Sequence, residues 1–231
     1  MKITIVRGIF ASIFISSSLF LEISPAVAVK SASGYRQLGL SLRQQGKSEE
    51  AITVLQKSVE LEPQNPSGRV LLGWTQHLAQ KRQDATKSLL QAVYQNPYFV
   101  PAYNALGIVY LVDSNLAASV LVHTWAAILK PDNEIAYFNL SLALHRLQIY
   151  PLAIICANRA ASLEPSNPHP LVAGAISYWD SGDKTFAKGV YNKAINLDSR
   201  YRDSFYLNHL KEAAFTLSQI KTTDKVRTAL P

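Results

Sequence analysis

The stretch "LEPQNP" at residues 61–66 returns almost unchanged as "LEPSNP" at residues 163–168. Its first proline, Pro63, corresponds to Pro165 in the second copy, and Pro97 and Pro131 divide the distance between them into three equal parts, each a 34-residue step. A fixed period of this length is typical of proteins built from repeated supersecondary units. The two phrases are therefore predicted to be the same corner of a repeat, seen three units apart.

Other positions recur in register with the prolines. Small residues form three columns: Ala51, Ala85, Ser119, Ala153 and Ala187; Ser58, Ala92, Ala126, Ala160 and Ala194; and Gly39, Gly73, Gly107, Ser141 and Ala175. Each unit also contains two apolar segments with helical spacing, which Gly46 and Ser48 separate in the first unit. Because small residues allow two helices to approach closely, each unit is predicted to be an antiparallel helix pair.

These columns resemble the tetratricopeptide repeat (TPR). The third unit carries the residues of that pattern at Tyr103, Leu106, Gly107, Tyr110, Ala126 and Pro131, and the first carries them at Tyr35, Leu38, Gly39, Leu42, Ala51, Leu55 and Pro63. Departures from the pattern occur at Arg69, Gln76, His123 and Gly174. The resemblance implies an all-α fold, a right-handed α-solenoid of stacked antiparallel helix pairs, with about five repeats in residues 29–199.

The chain beyond the repeats is predicted to close the stack. The segment "RYRDSFYLNHLKEAAFTL" continues as an apolar pattern that favours a single helix. A terminal helix with a polar outer side would cap the solenoid. The tail "SQIKTTDKVRTALP" is predicted to hold a short helix and a loose end, so residues 200–231 form a capping helix and tail.

The N-terminus has the pattern of an export signal. Lys2 and Arg7 precede the apolar run "GIFASIFISSSLFLEI", and Pro25 and "AVA" at residues 26–28 fit the end of a cleaved signal peptide. The apolar run is shorter than the ~20 residues that span a bilayer. Residues 1–28 therefore predict export to the periplasm or another extracytoplasmic compartment. The alternative is an uncleaved N-terminal anchor, the one case in which we expect contact with a membrane.

The resemblance also implies a concave groove, lined by the first helix of each unit, that holds peptides or partner helices. One helical face predicts the lining residues to be Arg36, Leu40, Arg43, Trp74, His77, Asn104, Ile108, Phe138, Leu142, His145, Ile176 and Trp179. This set is largely apolar, which favours a partner protein or peptide with apolar or aromatic anchors. Alternatively, some of these residues are core, or are covered by the tail or by a second copy.

The groove does not have the pattern that TPR proteins of the chaperone-tail type use to clamp a terminal carboxylate. Arg36 fits one position of such a clamp, but Val70, Leu71, Pro101 and Ala105 stand where further polar groups would be needed. A terminal-carboxylate ligand of that kind is therefore not expected.

No sequence motif indicates catalysis, a cofactor or a metal site. The five histidines lack a second ligand at metal-binding spacing, and no phosphate-binding loop or nucleophile elbow is present. The net charge of +7 is not concentrated in a basic stripe, so nucleic-acid binding is not expected. The sequence predicts a non-enzymatic adaptor or scaffold for complex assembly. Two alternatives remain: a self-associating module whose apolar first helices bury against a second copy, and an accessory subunit of an enzyme complex.

Overall fold

A computed structural model describes residues 31–231, so the predicted signal segment lies outside the described residues. Ten α-helices of 13 or 14 residues form five antiparallel pairs: α1 (Ala32–Gln44) with α2 (Ser48–Leu61), α3 (Pro66–Leu78) with α4 (Arg82–Gln95), α5 (Val100–Val112) with α6 (Leu116–Leu129), α7 (Glu134–Arg146) with α8 (Tyr150–Leu163), and α9 (Pro168–Asp180) with α10 (Lys184–Leu197). The starts of the first helices follow the 34-residue step, and so do the starts of the second helices. The α-solenoid predicted from the sequence is confirmed.

The turn inside each pair contains a residue with positive φ in all five units. One residue in each turn lies in the left-handed region: Gly46, Gln80, Ser114, Gln148 and Gly182. In the first four units the next residue donates its N–H back into the first helix, as when Lys81 bonds the Gln76 carbonyl at 2.8 Å. These hydrogen bonds satisfy carbonyls that the helix end would otherwise leave unpaired. Because the backbone bonds recur, three of the five turns keep this geometry without glycine.

The corner between units explains the recurring "LEPQNP" phrase. Its first proline follows the end of the second helix, and its asparagine caps the next first helix: Asn65 accepts from the Ser67 N–H at 3.0 Å, and Asn167 accepts from the His169 N–H at 2.9 Å. The second proline is the first helical residue, where a missing N–H costs little. The phrase therefore ends the second helix of one unit and starts the first helix of the next.

The glycine column sets the distance between the two helices of a unit. A Cβ atom added at Gly39 would overlap the side chain of Leu55, and one added at Gly107 would overlap the imidazole of His123. Gly73 meets Leu89 in the same way. The first three units therefore use glycine so that a large side chain of the second helix can lie directly against the backbone of the first.

The C-terminal segment differs from the predicted single helix. Residues 199–211 include two 3₁₀ turns, Ser199–Arg202 and Tyr206–Lys211, and the last α-helix, α11, runs from Leu217 to Thr228. Side chains compete with the backbone here: Asp198 bonds the Arg200 N–H at 3.0 Å, and Asp203 bonds the Phe205 N–H at 2.9 Å. Such local bonds favour turns over a continuous helix.

Candidate functional site in the concave groove

The groove is formed by α1, α3, α5, α7 and α9, because each first helix contacts the first helix of the next unit. The second helices lie behind them, on the convex side. Since successive units are related by one constant step, the same sequence position in each unit reaches the same depth in the groove. The described structure nevertheless divides the groove into an open part and a filled part.

The chain's own C-terminal segment fills the groove over the last two units. Phe215 is buried, with its ring 6.1 Å from that of Phe138 between centroids. Val226 of α11 is buried in the same hydrophobic cluster as Leu142 and Ile176, and α11 packs mainly on α9. A regular sixth repeat would contact α9 and α10 and would not reach α7. Residues 213–230 therefore occupy the place of a ligand as well as that of a cap.

Gln219 fixes this segment by its polar contacts. Its amide nitrogen lies 3.3 Å from the Leu142 carbonyl oxygen and 3.3 Å from Nδ1 of His145, and its amide oxygen accepts from the Thr216 N–H at 3.0 Å. All hydrogen-bonding groups of this buried amide are thus in use. A buried polar side chain costs stability unless it is satisfied in this way, so Gln219 specifies one position of α11 in the groove.

His145 connects α11 to the end of α9. Its Nδ1 accepts from Gln219, so Nε2 carries the proton and donates to Asp180, 3.0 Å away. Burial lowers the pKa of His145, and the nearby Asp180 carboxylate opposes that shift without overcoming it. The neutral imidazole is therefore a structural link between three helices.

Five of the predicted lining residues lie under this segment. Leu142, His145 and Ile176 are buried, and Phe138 and Trp179 are half-buried against the same cluster. The Lys184 ammonium also lies 3.9 Å from the centroid of the Trp179 ring. The structure thus brings these five residues together, but it covers them with the C-terminal segment instead of leaving them open to a partner.

The other seven predicted residues belong to the first three units. Arg36, Leu40, Arg43, Trp74, Asn104 and Ile108 are partly exposed, and His77 is buried beside Trp74 with ring centroids 5.2 Å apart. Burial lowers the pKa of His77. No segment of the described chain covers these residues, so this surface, which we call the open groove, is available.

Most charged side chains of the helices that form the open groove are compensated: Arg69 bonds Gln91 of α4, and the Asp113 carboxylate at the end of α5 lies near the buried His77. The helices α1, α3 and α5 contain Arg36, Arg43 and Arg69 together with His77, and they contain no Asp or Glu. Arg36 is paired with Glu62 at 2.7 Å. Arg43 is different, because its Nη1 atom is buried without a hydrogen-bond partner in the described residues. A buried and unpaired guanidinium nitrogen would gain from an added acceptor.

Asn104 has a structural role within this surface. Its amide exchanges two hydrogen bonds with the amide of Asn133, at 2.8 and 3.3 Å, and Asn133 caps the first turn of α7. The pair thus ties the third unit to the fourth at the boundary between the open and filled parts. Asn104 is held in place by its neighbour and is a weaker candidate for contact with a ligand than Trp74.

Sequence reasoning missed the residues that fill the groove, Phe215 and Gln219. One signal could have placed α11 correctly: Thr216 and Gln219 form the first and fourth residues of a capping box, which starts a helix at that point. Where the helix docks has no local signature, because the contact with Leu142 joins residues 77 positions apart.

The described residues hold little that indicates chemistry. No group of three potential metal ligands occurs among residues 31–231, and no helix in that range is long and apolar enough to cross a membrane. Cys156 is partly buried, and burial raises the pKa of its thiol to about 11, which makes it a poor nucleophile.

Comparisons with known proteins agree with this fold. Residues 39–80 match a family model described as "TPR repeat". No curated protein matches the chain significantly. Among solved structures, a MamA crystal structure is 22% identical with a TM-score of 0.64, covering 73% of this chain and 92% of that one.

Two further structures are similar over the same repeats. MamA from Desulfovibrio magneticus RS-1 is 20% identical with a TM-score of 0.67, covering 75% of this chain and 98% of that one. A thermophilic TPR protein of Thermus thermophilus is 20% identical with a TM-score of 0.61, covering 80% of this chain and 98% of that one. At these identities the likeness concerns the fold.

Proposed function

We propose that the chain is a non-enzymatic adaptor of the tetratricopeptide-repeat type, which binds a segment of a partner protein in the open groove for the assembly of a complex. The observation that carries this proposal is the partly exposed row formed by Leu40, Trp74 and Ile108 on three successive first helices. Side chains of this kind, placed at the centre of a groove, are the usual anchors of a protein interface.

The filled part of the groove supports the proposal by example. There the C-terminal segment of the same chain lies on the first helices. Phe215, just before α11, and Val226 within it are the apolar anchors, and Gln219 is the polar anchor. The open groove has the same backbone geometry, since its first helices follow the same 34-residue step. A short helix or extended segment from another protein therefore fits it.

The charge of the open groove selects among such segments. A partner segment with apolar side chains and one or more internal carboxylates would contact Trp74 and supply the acceptor that Arg43 lacks. A basic segment would meet the Arg43 guanidinium and could not supply that acceptor. We therefore assign the partner an acidic and apolar segment, with the carboxylates on side chains and not at a chain end.

The test is affinity capture with the full chain, followed by measurement of the affinity for each partner identified. We expect Trp74→Ala and Arg43→Glu each to weaken binding about tenfold or more, which corresponds to ~1.4 kcal/mol. The controls are Tyr94→Ala and Lys57→Glu, which change an exposed aromatic residue and an exposed basic residue on the second helices α4 and α2, outside the groove. Binding that survives both groove substitutions would contradict the proposal, and so would binding that the control substitutions weaken to the same degree.

We further propose that the protein works outside the cytoplasm. The support is the charged, apolar and small-residue pattern of residues 1–28. Fractionation of cells that produce the full chain, with N-terminal sequencing of the product, should find an exported form that begins near residue 29. A cytoplasmic chain that retains Met1 would exclude both export and cleavage, whereas a membrane-bound chain with an intact N-terminus would indicate the anchored alternative.

A further inference from the structure

The convex side of the third, fourth and fifth units exposes large apolar side chains. On α6 the exposed fractions are 71% for Leu121, 45% for Trp125 and 60% for Ile128. On α8 they are 50% for Leu152 and 62% for Ile155. Phe186 on α10 is 60% exposed. These six residues form what we call the convex apolar surface.

Their spacing places them in one stripe. Leu121, Trp125 and Ile128 follow each other at intervals of four and three residues, so they lie along one face of α6. Leu121 and Ile155 are one repeat apart, as are Leu152 and Phe186, so each pair takes the same position on successive second helices. The stripe therefore continues from α6 across α8 to α10.

Charge is almost absent from the helices at the centre of this surface. The 14 residues of α6 include no Asp, Glu, Lys or Arg, and those of α8 include only Arg159. Arg159 donates to the Pro131 carbonyl at 3.0 Å and lies over the ring of Tyr137, so its charge is engaged by its own chain. A second helix on the surface of a solenoid has no structural need for such a sequence, as the charged residues of α2 show.

The size of the surface suits a protein interface. With standard side-chain areas, the six residues expose on the order of 600 Å², against roughly 800 Å² per partner in a stable interface. The surface is also uneven. At Gly189 an added Cβ would meet nothing within 4 Å, and a shallow depression beside it is lined by Phe186 and Val190 together with Thr185 and Lys193. Gly189 occupies the column of Leu121 and Ile155, so a side chain at that position would be a protrusion where α10 has a notch.

We propose that the convex apolar surface is a homodimer interface, in which a second copy packs its own α6 and α8 against these helices. The centre of this surface, on α6 and α8, can face its own copy across a twofold axis without like-charge repulsion, whereas the charges beside Phe186 are the lysines of α10. The protruding side chains of α6 and the notch of α10 provide complementary shapes on the same surface. This self-association uses the second helices. The alternative considered from the sequence placed self-association on the first helices, which form the groove.

The test is sedimentation velocity of the full chain at concentrations of about 1 to 100 µM, which cover the dissociation constants of weak dimers (~µM). We expect a dimer for the wild type and a monomer for Leu121→Glu with Ile155→Glu, with the dimer dissociation constant raised at least about 100-fold. Leu217→Glu, an equally exposed leucine outside the surface, is the matched control and should remain dimeric. Unchanged far-UV circular dichroism would show that the double variant is folded, and Leu121→Gln is the milder variant if it is not.

Three results would overturn the proposal. The wild type could remain a monomer throughout this range. The double variant could remain a dimer. The wild-type chain could be a monomer that sediments with vesicles of phosphatidylcholine and phosphatidylglycerol. If the double variant no longer sediments with these vesicles, the surface would be assigned to a membrane. Arg43→Glu should remain dimeric, so failure of this inference and failure of the groove proposal can be told apart.

Discussion

The first two units and the fourth unit share one backbone geometry, and they expose opposite faces. In the first two, the groove is open, and the second helices α2 and α4 carry charged side chains such as Glu50, Lys57 and Lys87 to the surface. In the fourth, the groove is filled by the C-terminal segment, and α8 exposes Leu152 and Ile155. The third unit has an open concave side and an apolar convex side.

This difference shows that the repeat specifies its buried columns and leaves the two outer faces independent. The small residues at Ala51 and Ala153 are both fully buried, although the helices around them differ in charge. A solenoid buries only the contacts within and between adjacent units, so any exposed position can change without altering the step. Two different binding surfaces can therefore be placed along one regular scaffold.

The strongest test of the comparison removes the anchor of the filled groove. Phe215→Ala should lower the free energy of unfolding by about 3–5 kcal/mol, since it leaves a cavity against Phe138 and its neighbours. Leu217→Ala, two residues later and 63% exposed, should change it by less than about 0.5 kcal/mol. Urea unfolding measures both. Equal effects would show that the C-terminal segment is not seated in the groove.

A smaller effect separates units that need glycine from the unit that does not. Gly107→Ala should destabilise the protein by about 1–3 kcal/mol, because the new Cβ overlaps the buried ring of His123. Gly174→Ala should stabilise it by about 0.5–1 kcal/mol, because its Cβ would meet Ala157 at an ordinary 3.5 Å and alanine favours a helix. Thermal unfolding of the two variants gives the signs, and the same sign for both would refute the packing argument.

The pH dependence of the free energy of unfolding tests whether the imidazole of His123 is buried. Burial lowers the pKa of this fully buried imidazole to about 4. Below its unfolded value of about 6.5 the unfolded chain binds the proton and the folded chain resists it, so stability is lost as the pH falls. From pH 7.5 to 5 this group should cost about 2 kcal/mol.

The matched variant for that measurement is His123→Leu. Leucine stands at the equivalent place in the first two units, where Leu55 and Leu89 pack on Gly39 and Gly73. Urea unfolding at the two pH values should show a loss in the variant that is about 2 kcal/mol smaller than in the wild type. The other histidines with lowered pKa values, such as His77 and His145, titrate in both proteins and cancel in the difference. An identical loss would mean that His123 is not buried as the structure has it.

Much of the fold could be predicted from the sequence because the repeat occurs five times. The step from Pro63 to Pro97 and the glycines at Gly39 and Gly73 are local consequences of ending a helix and packing its neighbour closely, so they return along the chain. The departures could be interpreted as well. Arg69, which replaces an aromatic residue, bonds Gln91 at 2.7 Å and reaches the Pro63 carbonyl, as the Tyr103 hydroxyl reaches that of Pro97.

The site was less predictable, and Leu142 and Trp74 show why. Both stand on the same predicted face of a first helix, and the periodicity gives them equal standing as lining residues. One is fully buried and the other is partly exposed, and the cause is the segment around Gln219, which lies 77 positions beyond Leu142 in the chain. Periodicity reports which side of a helix a residue occupies, and it does not report what covers that side.

The helix pairs, their 34-residue step and the positions of the glycine contacts follow from the order of residues along the chain. These depend on hydrogen bonds and steric overlap between residues near one another in the chain or one repeat apart. Which part of the groove is open depends on the three-dimensional fold, because α11 reaches α7 by folding back across the last unit. In that contact Phe215 packs near Phe138, and Gln219 bonds Leu142 and His145. These residues are far apart in the chain, so no local sequence pattern predicts the contact.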